Sequence, residues 1–250
     1  MSPVSAVAVE GLPEVQPGDD LAALIAASAA TPISREDVVV IAHKIVSKAE
    51  GRTRALADVQ PSPRAIELAG DHGKDPRHVQ VVLDESMEIV RASRGVLICV
   101  TRHGFVCANA GVDASNAPAR DTLVLLPVDP DASARRIRAG LGERLGAAPA
   151  VVITDSFGRA WRHGQCDVAI GCAGIAPLED WRGRRDAAGR ELTATWIAIA
   201  DELASAADLA RSKDARQPVV IVNGAGRHVT GDDGPGAAAL LRPEAEDLFR

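Results

Sequence analysis

The sequence predicts an α+β protein in which mixed sheets pack against helices. Three observations lead there. Short apolar runs rich in valine and isoleucine recur at 4–9, 37–42, 96–101, 123–126, 150–154 and 218–222, as buried strands require. Between several of them lie segments that begin with aspartate or proline, the usual first residues of helices. Strands and helices follow one another without strict βαβ alternation, which argues against a doubly wound parallel sheet.

Taken in order, residues 4–9 read as a strand. Residues 10–18 (EGLPEVQPG) form a loop, set by two prolines and two glycines. Asp19 and Asp20 cap a helix reaching about residue 29, because a carboxylate satisfies free amides at a helix start. DVVVIA at 37–42 is a buried strand, with HKIVSKAEG following directly. Residues 63–70 and 76–90 read as helices with proline in the first turn. Residues 96–101 and 105–110 read as a hairpin about Arg102, His103 and Gly104. A strand at 123–126 precedes a helix from Asp129 and Pro130 to about 145, its basic residues mostly beyond the first turn. A strand is expected at 150–154, ending where Asp155 and Ser156 begin. Further strands are expected at 168–172 and 218–222 and an alanine-rich helix at 201–210, while 191–200 reads as strand or helix, its threonines and β-branched residues favouring strand. Residues 1–222 are expected as one domain. Residues 223–250 read as a glycine-rich tail, loosely packed until residue 237, that is either part of the same domain or a junction to a further one.

Composition narrows the function. The 250 residues carry a formal net charge of −6, with three Phe, three Trp and no Tyr. The core must be aliphatic, and neither backbone-driven nucleic-acid binding nor base stacking is favoured. The four cysteines, Cys99, Cys107, Cys166 and Cys172, show no CxxC spacing, so no zinc site is expected, and Cys99 and Cys107, in apolar strand-like runs, read as buried free thiols. There is no basic segment leading into an apolar run and no long uncharged stretch, so a cytoplasmic protein with no membrane partner is expected.

Four polar clusters sit beside apolar strands. His43, Lys44, Ser47 and Lys48 read either as a phosphate grip or as a solvated strand end. Asn109, Gly111, Asp113, Ser115 and Asn116 offer hard oxygen donors suited to Mg²⁺ or Mn²⁺, or else bond their own backbone in an Asx turn. In VVITDSFGRAWRHGQCD (151–167), Asp155 and Ser156 read as holders of a metal that bridges phosphates, with Arg159, Arg162 and His163 as nearby cations. Asp155 also reads as a plain turn cap. Arg182, Arg184, Arg185 and Arg190 read as an anion patch or as a solvated charge run. No P-loop, no GxGxxG after a strand and no GxSxG elbow is present, so any nucleotide site has an uncommon architecture.

Together these segments resemble the coenzyme F420-0:L-glutamate ligase family. GLPEVQPGDDL (11–21), VSKAEGR (46–52), NAGVDASN (109–116), LLPVDPDASARRIR (125–138), ITDSFGRAWRHGQCDVAIG (153–171) and GRELTAT (189–195) match its pattern in order. The resemblance implies an unusual α+β ligase fold and an intertwined homodimer. It implies a GTP-dependent ligation in which the acceptor carboxylate of coenzyme F420-0 becomes an acyl phosphate. The amine of L-glutamate then attacks, and further γ-linked glutamates can follow. Two Mg²⁺ or Mn²⁺ ions, with K⁺ as a further ion, come with that implication. Residue by residue, the metal ligands fall on Asp113 and Asp155, also the catalytic pair, for one ion and on Ser156 for a second. The nucleotide contacts fall on Leu12, Pro13, Glu14, Val15, His43, Lys44, Lys48 and Asn116. They continue in the segment Arg211, Ser212, Lys213 and Asp214, where the family pattern resembles MGxG. Lys213 has no lone pair with which to ligate a cation. His163 becomes a member of an anion-binding rim. Two other expectations stand beside this one: a ligase of the same mechanism on another carboxylate, and a non-catalytic nucleotide-binding homologue.

Overall fold

A computed structural model describes residues 3–247. The first two residues of the expected domain and the last three of the expected tail lie outside it. The central sheet has five strands in the order β1-β12-β2-β8-β9. These are β1 (Ser5–Ala8), β2 (Val38–Ala42), β8 (Ala150–Arg159), β9 (Arg162–Ala173) and β12 (Val219–Asn223). β2 and β8 run parallel, pairing Val38 with Ala150 through Ala42 with Thr154. The other pairings are antiparallel.

Both faces of this sheet are covered, which is why its central strands are unbroken aliphatic runs. On one face Val39, Ile41, Val151, Ile153 and Ile221 pack against three helices: α1 (Leu21–Ser28), α2 (His43–Ala49) and α5 (Pro130–Leu145). On the other, Val38, Val40, Val152, Val220 and Val222 meet α6 (Ile199–Ala210). Asp20 and Asp129 cap α1 and α5 by accepting from Ala23 N and Ala132 N, as acidic caps do.

A second core lies outside the main sheet, built on Leu56, Val79, Val82, Leu97, Leu123 and Leu125. It joins α3 (Pro63–His72) and α4 (Pro76–Asp84) to two small sheets. One pairs β3 (Thr53–Ala55) with β7 (Thr122–Val124). The other orders β4 (Ser86–Ser93), β5 (Val96–Thr101) and β6 (Val106–Ala108). A short pair, β10 (Glu179–Asp180) with β11 (Trp196–Ile197), completes the strands. Among the described residues no helix is long and apolar enough to cross a membrane.

Four expectations need correction. The helix expected over 76–90 stops at Asp84, because Ser86–Ser93 pairs with β5 and cross-strand partners outweigh helical propensity. The strand expected to end before Asp155 continues to Arg159 and turns into β9, so 151–167 is one arm and part of the next of a single hairpin. Within the strand expected over 191–200, only Trp196–Ile197 is strand and α6 begins at Ile199. The stretch after 223 is tied down rather than loose. Arg138 donates to Asp233 Oδ1 (2.9 Å) and to the carbonyls of Thr230 and Gly231. Asp131 accepts from Ala237 N and Cys172 N, each at 2.8 Å, and Ala237 is fully buried.

Cys99, Cys107 and Cys172 are buried free thiols, whereas Cys166 is half-buried. Burial pushes Cys107 and Cys172 up to about 12, which keeps them protonated at neutral pH.

α5 lies so close to the sheet that Gly171 of β9 touches the start of the helix. A methyl group there would stand 2.5 Å from the Pro130 carbonyl oxygen. Gly171→Ala is therefore expected to shift α5 and cost about 3 kcal/mol, a fall in melting temperature of roughly 6–12 °C. Calorimetry checks this, and an unchanged melting temperature would contradict the packing described.

Candidate functional site

The two parallel strands at the centre of the sheet end side by side, and their continuations diverge. After Ala42 the chain enters α2 at once. After Thr154, β8 runs on with its partner β9. The gap between them is a cleft of about 970 Å³. Its walls carry Leu12, Pro13, Glu14 and Val15 from the first loop, and His43, Lys44 and Lys48 from α2. Asp113, Ser115 and Asn116 come from the segment before β7, and Thr154, Asp155, Ser156 and Asp167 from the hairpin. Arg211, Ser212 and Lys213 follow α6.

On α2, His43 is 2% exposed. Its Nδ1 lies 3.3 Å from Ser47 Oγ one turn on. Its Nε2 lies 3.2 Å from Asp155 Oδ1, too oblique for a hydrogen bond, so this buried nitrogen has no hydrogen-bond partner. Lys48 is also buried and donates to Glu14 Oε1 at 2.5 Å. The solvated strand end that the sequence left open is therefore not what forms here.

Asp113 is fixed by its backbone and by its side chain. Its N–H and C=O exchange hydrogen bonds with Val124 (3.1 and 2.8 Å), beyond a turn in which Asn109, Ala110 and Gly111 all have positive φ. Oδ1 accepts from Ser115 N at 2.7 Å, the Asx turn envisaged from sequence. Oδ2 accepts from Lys44 Nζ (2.7 Å) and Ser115 Oγ (2.8 Å). Burial works to raise the Asp113 carboxyl, but Lys44 and Ser115 outweigh it and hold it below its ordinary value.

Asp155 contrasts with its neighbours. It accepts from Ser156 N at 2.8 Å and faces His43, with no lysine or arginine on it among the described residues. Ser156 donates to Asp167 Oδ1 at 2.6 Å. Asp167 is 1% exposed and also accepts from Thr154 Oγ1 (2.8 Å) and from Arg211 Nη2. Burial works to raise its carboxyl too. Arg211, Ser156, Thr154 and Lys213 together bring it below its ordinary value.

The metal and nucleotide residues that the resemblance implies thus line one cleft, with the exception of Asp214. Asp214 is exposed, off the cleft wall, and accepts from Ser212 Oγ. Arg159, Arg162 and His163 lie at the outer end of the hairpin, away from the cleft, where Arg159 donates to the His163 carbonyl. The later arginine cluster is largely engaged where it stands. Arg182 is paired with Asp180 and lies over Trp196, and Arg184 is paired with Glu179 and lies over Trp181. Sequence reasoning gave Asp167 no role. Its signal was the hairpin register, which sets it opposite Ser156 and is visible only once 151–167 is read as two paired strands.

Hard oxygen donors suit a divalent cation such as Mg²⁺ or Mn²⁺. Asp113 and Asp155 supply two carboxylates to one cleft, and no lysine or arginine among the described residues is paired with Asp155. Among the described residues no three His, Cys, Asp or Glu side chains gather as a metal cluster, so the donors from this chain would be those two carboxylates and nearby hydroxyls.

Arg211→Met removes the guanidinium that balances buried Asp167. Breaking a buried pair from one side is expected to cost about 3 kcal/mol at pH 7. The Asp167 carboxyl is lowered in the folded state, so its contribution is present above its unfolded value and is lost as pH falls through the folded value. The gap between wild type and variant should accordingly narrow below about pH 4. Urea unfolding at pH 7 and pH 3 measures it, and a gap that widens in acid would contradict this pairing.

A family profile described as F420-0:Gamma-glutamyl ligase matches residues 11–224. A protein of Methanopyrus kandleri named coenzyme F420:L-glutamate ligase is 48% identical over 239 residues, 95% of this chain and 94% of its own length. One of the same name from Methanothermobacter thermautotrophicus is 45% identical over 252 residues, covering 99% of each chain. A third, from Haloarcula marismortui, is 44% identical over 250 residues.

Proposed function

The chain belongs to the F420-0:gamma-glutamyl ligase family, and on that premise we propose that it joins L-glutamate to coenzyme F420-0 at the expense of GTP. The reaction proceeds in two steps. The acceptor carboxylate oxygen attacks the γ-phosphorus, giving an acyl phosphate and GDP. The glutamate amine then attacks the acyl carbon, an amide bond forms, inorganic phosphate leaves and the amine gives up its proton. Further rounds use the γ-carboxylate of the glutamate just added.

The observation that carries this reading is the convergence of Asp113 and Asp155 in one cleft walled by Lys44, Lys48, Arg211 and Lys213. Phosphoryl transfer needs positioning and charge neutralisation more than a side-chain nucleophile. Asp113 and Asp155 would hold a divalent ion, which supplies charge neutralisation at the transferring phosphoryl group. The cations face the same space and are suited to orient phosphates. Glu14, Asp113 and Asp167 hold three of them in place before any nucleotide arrives. The loop carrying Leu12, Pro13, Glu14 and Val15, together with Asn116, walls the nucleotide. The cleft's volume is at the large end for a small-molecule site, in keeping with a nucleotide and an acceptor bound together. Ser156 already donates its proton to Asp167, which favours a binding role over a nucleophilic one. A K⁺ ion and a homodimer belong to the same reading. Exposed Met87, Val96 and Val106 on the three-stranded sheet and Trp161 at the hairpin tip, 81% exposed, are apolar surfaces a second copy would cover.

Incubation with GTP, Mn²⁺ or Mg²⁺, L-glutamate and coenzyme F420-0 is expected to yield glutamylated product by mass spectrometry. No product under any nucleotide or metal overturns the reading. Product only with another carboxylate acceptor would assign the same mechanism to a different substrate. Asp155→Asn is near-isosteric and should leave the melting temperature unchanged, while turnover falls at least about a hundredfold. Near-normal turnover in that variant would reduce Asp155 to a turn cap.

A further inference from the structure

The segment after α6 sets a positive charge on the hydroxyl that would otherwise serve a second metal ion. Lys213 Nζ lies 2.7 Å from Ser156 Oγ, 3.3 Å from Asp208 Oδ1 and 3.7 Å from Asp167 Oδ1. Arg211 holds the same two carboxylates, with Nη2 on Asp167 Oδ2 and Nε 3.7 Å from Asp208 Oδ1. Two cations and two carboxylates therefore form a closed quartet of zero net charge. The Ser156 proton already goes to Asp167, so the oxygen turns its lone pairs to the Lys213 ammonium.

A divalent ion ligated by Ser156 Oγ would sit about 2.0–2.6 Å from that oxygen. It would crowd Lys213 Nζ as a like charge, and the two carboxylates around Lys213, Asp167 and Asp208, are already paired with Arg211. The first site differs: Lys44 sits on Asp113 Oδ2, but the Asp155 carboxylate carries no lysine or arginine among the described residues and faces the edge of His43, so an ion there meets a carboxylate that no such cation neutralises.

We infer that Lys213 is a tethered cation in place of a second metal ion, so that this chain takes one divalent ion, at Asp113 and Asp155, rather than two. This rests on the GTP-dependent reading above. One of the positive charges over the phosphates is then part of the chain and does not vary with free metal concentration. Lys213 is 69% exposed and reaches the cleft from its rim, so replacing it leaves the buried pair of Asp167 and Arg211 in place.

Equilibrium dialysis of the full chain against GDP and saturating Mn²⁺, with both counted per chain, tests this. Wild type and Lys213→Arg are expected to bind one Mn²⁺ with one GDP. Lys213→Gln, which removes the charge and offers an amide oxygen, is expected to bind two. Two Mn²⁺ on the wild type, or one on Lys213→Gln with GDP still bound, overturns the inference alone. Absence of GDP binding by the wild type overturns the nucleotide reading and the inference with it.

Discussion

The parallel pairing of β2 with β8 is the constraint on which the site depends. Neighbouring parallel strands end on the same edge of a sheet, and their onward chains must part there, which opens a crevice at the carboxyl ends. The register of Ala42 with Thr154 makes His43 and Asp155 the next residues on either side of that crevice. A slip of one residue would turn alternate side chains to the wrong face. The slip is prevented because both faces are buried, Val39 and Val151 toward α1 and α5, Val40 and Val152 toward α6.

Around this crevice, charge is arranged before a ligand arrives. Glu14 with Lys48, Asp113 with Lys44 and Asp167 with Arg211 fix cationic side chains where phosphates would lie. Preorganised charge spares the reaction the work of orienting solvent. The cost is desolvation, which works to raise Asp113 and Asp167 and is outweighed by their partners. Asp155, with no lysine or arginine beside it among the described residues, is the exception, and it is the carboxylate on which the proposed metal site rests.

Much of this was legible in the sequence because it is local. The aliphatic strands, the caps at Asp20 and Asp129 and the hairpin around Arg102 to Gly104 are written in adjacent residues. The motifs around Asp113 and Asp155 were legible as chemistry, though not as neighbours in space. What escaped was long-range. The extension of β8 depends on pairing with β9, Asp167 acquires its place only through that register, and the last segment is held by Arg138 and Asp131, about a hundred residues earlier in the chain. The conversion of 86–93 to strand likewise depends on β5 as a partner. The arginines near 159 and 182 lie off the cleft, and the sequence left the role of the second group open because a charge run is silent about which acids and rings will face it.

The central claim is that Asp113 and Asp155, distant in sequence, serve one divalent ion in the cleft between β2 and β8. A crystal structure with GDP and Mn²⁺, phased to locate manganese by its anomalous scattering, tests it most directly. The account predicts a manganese peak touching both carboxylates, with the nucleotide phosphates on the side of Lys44 and Lys48. Manganese bound elsewhere, or phosphates seated outside this cleft, would contradict it.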